Sequence, residues 1–230
     1  MEYKTQVDRK NYNFEKYTDR SRWMSYWHQV REIVSRPEIT SVLEIGPGNG
    51  FLRQILQVYR PDIKYHTLDI ATDLNPDVVG SVTKMPLEDN SYDAVCAFQV
   101  LEHIQYDDFE PAVAEMKRVA KQYVFISLPH FGPSVELWLK IPFLKRIKFA
   151  TKIFFPKEHV FGGQHYWEIG KKGYSVQKIR SVLVKYLTLI DEYVPFENQY
   201  HRFFILSVFK DAEMLLIVKK FSLRGSKVKL

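Results

Sequence analysis

Apolar positions along this chain follow two rhythms. Trp23, Trp27, Val30 and Val34 recur every three or four residues, the spacing of one helix face. Pro37 places the end of that helix just before it. Ser41–Ile45 is instead a short apolar run, like a strand buried on both faces of a parallel sheet. After Gly50, Leu52, Ile55, Leu56 and Tyr59 return to helical spacing until Pro61. Strand-like runs follow at 63–70, at Val78-Val79, at 93–98 and at 123–128. Phe109, Val113, Met116 and Ala120 mark a helix before the last of these. Ser175 is placed to cap a helix carrying Val176, Ile179 and Leu183. Two final strands are expected near 187–193 and 203–209, and their nine-residue link suits an antiparallel pair. The alternation predicts an α/β, Rossmann-like fold: a seven-stranded, mostly parallel sheet with helices on both faces.

The segment 131–173 is longer than a bare core needs. Within it Phe143, Ile147, Ala150 and Phe154 fall on one helical face, with Lys145, Lys148 and Lys152 opposite and Pro142 at the first turn. The expectation is a helical lid inserted after strand 5, hinged at Phe161-Gly162-Gly163. The whole chain, 1–230, then reads as one domain: a helical cover at 1–39, a cofactor-binding core at 40–130, the lid at 131–173, and a sheet-completing segment with a basic tail at 174–230. The aromatics Tyr12, Phe14, Tyr17, Trp23 and Trp27 are candidates for a second wall of the site, or for plain core packing.

Charge sharpens that division. The formal net charge of +6 is concentrated: 131–173 holds eight Lys/Arg against three Asp/Glu, and Lys219–Leu230 holds five basic residues and no acid. A nucleic-acid binder would carry a broader basic face, so none is expected. A lid that solvates its lysines, a contact of 142–155 with anionic lipid, and a partner surface remain open readings. A single cysteine, Cys96, excludes an internal disulfide and a cysteine-rich metal site. With neither a signal-peptide core nor a membrane-spanning run, the expected location is cytoplasmic, at most peripheral to a membrane. The oligomeric state is left open.

The most specific chemistry lies at Glu44-Ile45-Gly46-Pro47-Gly48-Asn49-Gly50, between a strand and a helix. Glycines there let the backbone turn sharply and let a ligand approach it, and the helix start that follows is locally positive. Asp69 ends the second strand, 19 residues beyond Gly50, where a carboxylate can accept from both hydroxyls of a ribose. Loop and acid together point to a nucleoside-containing cofactor. The third glycine comes one residue too early for the nicotinamide fingerprint.

That spacing resembles the class I S-adenosylmethionine-dependent methyltransferases, in their small-molecule (type 11-like) group, over about 40–129. The resemblance implies that Glu44 and Gly46-Pro47-Gly48-Asn49-Gly50 hold the methionine part of S-adenosylmethionine, and Asp69-Ile70 its ribose. Gly80–Pro86 is similar to the family's adenine turn, with Ser81, Val82 and Met85 as contacts; many members carry Asp where Ser81 stands. Phe98-Gln99-Val100-Leu101-Glu102-His103 resembles the signature after the fourth strand, with Phe98 and Gln99 at the cofactor. The amino-methylating Asp/Asn-Pro-Pro-Tyr/Phe motif is absent there.

Methyl transfer from a sulfonium requires alignment first, and a base only where the acceptor must lose a proton. Candidates are His103 and His130 beyond the fourth and fifth strands, and His165 and Tyr166 in the insertion. His159 and His165 form a weak ligand pattern without a clear third member, so no metal is expected. The expected activity is methyl transfer to a small-molecule or lipid-like acceptor. The alternatives are a cofactor-binding partner or regulatory protein of the same fold without catalysis, and, against the basic charge, an aminopropyl transferase.

Overall fold

The computed structural model describes residues 18–144 and 146–210. Tyr12, Phe14, Tyr17, Lys145 and the basic tail lie outside them. Helix α1 (Arg20–Val34) is capped by Asp19, which accepts from the Arg22 N–H at 2.8 Å. Then come β1 (Ser41–Ile45), α2 (Phe51–Tyr59), β2 (Lys64–Asp69), β3 (Val78–Val79) and β4 (Tyr92–Phe98). Helix α3 (Phe109–Val119) runs into β5 (Ala120–Pro129), and β6 (Ser134–Leu139) and β7 (Ile147–Lys152) follow. Helix α4 (Val176–Tyr186) starts at Ser175, whose hydroxyl accepts from the Lys178 N–H, and β8 (Thr188–Tyr193) and β9 (His201–Ser207) close the chain's sheet.

That sheet has the order β3-β2-β1-β4-β5-β9-β8. Pairs from β3 to β5 are parallel; β9 is antiparallel to both β5 and β8. Alternate residues of each central strand feed opposite cores. Leu43, Val95 and Ile126 join α3 and α4 through Phe109, Met116, Ile179 and Leu183. Val42, Cys96 and Phe125 join α1 and α2 through Ile33, Leu52 and Leu56. Two-sided burial is why these strands read as continuous apolar runs.

Two expectations are corrected. The apolar stripe of α1 is buried only in part: Trp23 and Trp27 stay nearly half exposed, Val30 and Val34 pack partly buried against the core, and Ser25, His28, Gln29, Glu32 and Ile33 turn inward. Ser25 and Glu32 among these find hydrogen-bond partners on distant segments. Ser25 Oγ meets His201 Nδ1 at 2.8 Å, and Glu32 accepts from Tyr193 Oη at 2.7 Å and from Arg36 at 2.9 Å. The second correction concerns the lid, which is a β-hairpin and not a helix over 142–155. Ile147-Lys148-Phe149-Ala150-Thr151-Lys152 also alternates with period two, and Val135, Leu137 and Leu139 face Thr151, Phe149 and Ile147 across the ladder. Cross-strand pairs of β-branched and large apolar residues outweigh the helical spacing. Phe143, in the connection, takes a positive φ of 66°, which breaks a helix at its expected first turn.

The lysines change role with that correction. Lys148 donates to Glu197 at 2.8 Å, and Lys152 turns inward to the carbonyls of His130 and Gly132. Lys152 pins the hairpin's base, and Lys148, exposed near its tip, ties the strand to Glu197. Among the described residues no helix is long and apolar enough to cross a membrane.

Candidate active site

The carboxyl ends of β1, β2, β4 and β5 converge on one edge of the sheet, where open α/β sheets bind ligands. At the end of β1 the chain turns through Gly46, Gly48 and Gly50, all at positive φ (65°, 54° and 70°). A Cβ on Gly46 would stand 2.5 Å from Val100 Cγ2, so this turn is pressed against the one that follows β4. Asn49 caps the loop by accepting from the Phe51 N–H at 3.1 Å, and Phe51 packs on Tyr26 and Trp23 of α1. Trp23 of α1 thus packs against the first residue of α2, which follows the glycine loop.

Glu44 lies beneath this loop, buried, with Tyr65 Oη donating to it at 2.5 Å. Desolvation pushes its carboxyl up to about 8, against the lowering effect of the Tyr65 bond. Asp69 ends β2 and accepts from the Ala71 N–H at 2.8 Å; burial again raises it. Ile70 beside it is exposed. Ser81 Oγ is engaged by Thr83 Oγ1 at 2.9 Å, while Val82 and Met85 are buried in the core. Met85 is anchored by its N–H to Glu115 at 2.9 Å. Phe98 ends β4, buried, and Gln99 turns away from the strand at a φ of 58°, donating to Ser127 Oγ at 3.1 Å. The sequence-assigned residues Glu44, Gly46–Gly50, Asp69, Phe98 and Gln99 thus share one edge.

The four base candidates divide. His130 is buried, and Arg202 Nε donates to its Nδ1 at 3.2 Å, so its imidazole is the Nε2–H tautomer and its lone pair is already taken. Desolvation, with Arg202 and Lys152 nearby, lowers it to about 3. Three of the candidates gather elsewhere. His103 follows β4 in the short turn Leu101–His103, and its ring lies edge-on to His165 with centroids 5.1 Å apart. Tyr166 donates its N–H to the Glu102 carbonyl at 2.8 Å and stacks its ring on Phe161. His159 turns its ring to the His165 carbonyl at 2.8 Å.

Several residues of this edge escaped the sequence reading. Glu168 holds His165 Nδ1 and Tyr200 Oη, each at 2.8 Å, and Arg202 spans His130 and Glu192. They come from β9 and the end of the insertion, and no local motif marks them; only the topology brings them to the ends of β4 and β5.

Residues 43–126 match the family model described as a methyltransferase domain. A comparison of the sequence with curated proteins gives no match. Among solved structures the fold is shared with PH0226 protein from Pyrococcus horikoshii OT3, at 15% identity and a TM-score of 0.58 over 87% of this chain and 99% of that one. It is also shared with a SAM dependent methyltransferase from Aquifex aeolicus (17% identity, TM-score 0.56, 88% and 100% of the two chains). A third is the N-methyltransferase NodS from Bradyrhizobium japonicum WM9, solved in complex with S-adenosyl-L-homocysteine (9%, TM-score 0.55, 86% and 94%). The family match spans the glycine loop, Asp69 and β4 on the seven-stranded scaffold, so residues 43–126 are similar to a methyltransferase domain and the fold is the one shared by S-adenosylmethionine-dependent methyltransferases.

Proposed function

We propose that this enzyme transfers the methyl group of S-adenosylmethionine to an apolar, lipid-like acceptor that enters beside the β6–β7 hairpin. The observation that carries the acceptor class is the hairpin itself. One of its faces carries Val135, Leu137, Leu139, Ile147 and Phe149, each about half exposed, with Thr151 as its one polar position. An apolar patch of this kind marks a binding surface. Lys140 and Arg146, both exposed near its tip, favour an anionic lipid surface as the source of the acceptor.

In this reading the glycine loop and Glu44 take the amino-acid end of the cofactor, Asp69 with Ile70 takes the ribose, and Ser81, Val82 and Met85 border the adenine. Ser81 offers an oxygen where many relatives offer a carboxylate, a weaker acceptor. Phe98 and Gln99 flank the sulfonium side, where the β4 turn meets the loop. The leaving group is activated already, so the protein's task is to hold acceptor and methyl in line. His130 orients and donates in this scheme, because its lone pair is spent on Arg202.

The test is incorporation of label from methyl-labelled S-adenosylmethionine, offered with a total lipid extract and with a water-soluble metabolite extract. Label in the organic phase, absent with a Gly48→Val protein, is the expected result. Label confined to aqueous products overturns the lipid-like acceptor and leaves the methyltransferase assignment standing.

A further inference from the structure

Away from the glycine loop, a second group of side chains has no task in the scheme above. Glu102 is fully buried in the turn after β4, and among the described residues neither of its carboxylate oxygens has a hydrogen-bond partner. Leaving a buried carboxylate unpaired is costly unless a cation meets it. Facing it are His103, its chain neighbour, and His165, which the insertion returns to the sheet edge. One ligand atom from each of the three lies within 4.8 Å of the others.

The outer contacts of the two rings fit a metal site. His103 Nδ1 lies 3.1 Å from the Gln164 carbonyl, which can only accept, so the proton is on Nδ1 and Nε2 carries the lone pair. His165 Nδ1 lies 2.8 Å from Glu168 Oε1, and that carboxylate is itself fixed by Tyr200 Oη. A ring nitrogen tied to a carbonyl or carboxylate is the usual outer shell of a histidine metal ligand. Ligand atoms around one cation at about 2.1 Å stand about 3–3.5 Å apart, so closing the site needs a shift of about 1 Å. The competing arrangement is the ion pair of a protonated His165 with Glu168, but it leaves both Glu102 oxygens without a hydrogen bond.

We infer that Glu102, His103 and His165 form a site for a divalent transition-metal cation, with Glu168 and the Gln164 carbonyl orienting the two imidazoles. Two imidazoles and one carboxylate suit zinc, manganese, iron(II) or cobalt over magnesium or calcium, and leave positions open for water or an oxygen of a bound ligand. The sequence suggests the pair His159–His165; the fold instead joins His165 to a histidine 62 positions earlier. The site stands independently of the acceptor reading, since its test reads the metal alone.

The experiment titrates Co(II) into the full chain, purified without an affinity tag and freed of metal by chelator. The expected result is one cobalt per chain, with visible absorption bands of a nitrogen- and oxygen-ligated ion. Glu102→Gln, which keeps the shape of the side chain, should lower the affinity at least tenfold. Glu168→Gln should lower it by about tenfold to a hundredfold, as loss of an outer partner does. S-adenosylmethionine binding and circular dichroism check that each variant is folded. A folded wild-type chain that takes up no cobalt at 100-fold excess over protein overturns the site. So does cobalt binding that Glu102→Gln and His165→Ala, both folded, leave unchanged.

Discussion

The two ends of this active-site edge are built in different ways. Around β1 and β2, the turn itself is the device: three glycines at positive φ, a loop pressed on Val100, and carboxylates at the strand ends. Around β5 and the insertion, side chains from distant segments hold one another. His165, Glu168 and Tyr200 form one such chain, and His130, Arg202 and Glu192 another. The first kind tolerates almost no change in backbone, while the second can exchange partners without moving the sheet. A common cofactor and a changeable acceptor call for that division.

Gly46→Ala should break the contrast at its rigid end with the largest effect. The added Cβ meets Val100 at 2.5 Å, and alanine is strained at a φ of 65°. Together these should cost about 2–4 kcal/mol of stability, read by thermal or denaturant unfolding. An unchanged midpoint would show that the loop is softer than its geometry. Asp69→Ala should come next, weakening S-adenosylmethionine binding by about 1.5–3 kcal/mol, the scale of charge-assisted hydrogen bonds. Calorimetric titration checks it, and equal affinity would remove the ribose assignment.

A third effect depends on pH. Burial holds the Glu44 carboxyl at about 8 in the cofactor-free protein, above its unfolded value of 4.5. Its contribution to stability is therefore full below pH 4.5 and is lost as pH rises through about 8. The cofactor's ammonium needs the ionised carboxylate, so affinity should rise between pH 6 and 7.5, by up to about tenfold per unit. Glu44→Gln should flatten that rise; a rise of the same slope in the variant would assign it to another group. The smallest change in stability belongs to the hairpin. Leu137→Glu with Phe149→Glu alters a cross-strand pair that is already half exposed. It should shift unfolding and cofactor affinity by no more than about 0.5 kcal/mol, yet abolish binding to anionic vesicles. Retained sedimentation with vesicles would end the lipid-surface reading.

What could be read in the sequence follows the same line. The β1–α2 turn, Asp69, the β4 signature and all seven strands of the main sheet were legible, because local spacing alone specifies them. The buried polar face of α1 was not, since Ser25 and Glu32 are matched by His201 and Tyr193 more than 160 positions away. The hairpin was misread for a related reason. Phe143, Ile147, Ala150 and Phe154 satisfy helical spacing, and the strand that outcompetes it lies before Pro142. Glu168 and Arg202 carry no motif at all; their roles exist only once β9 is laid against β5.

The contact between Gly46 and Val100 also constrains the history of the molecule. A lineage can enlarge residue 46 only after residue 100 has shrunk, and the φ of 65° still disfavours every side chain at the first position. Val100, however, immediately precedes the turn that carries Glu102 and His103. Relatives that trim position 100 therefore loosen that turn as well, so drift at the glycine loop and change at Glu102 and His103 are expected to travel together through this one valine.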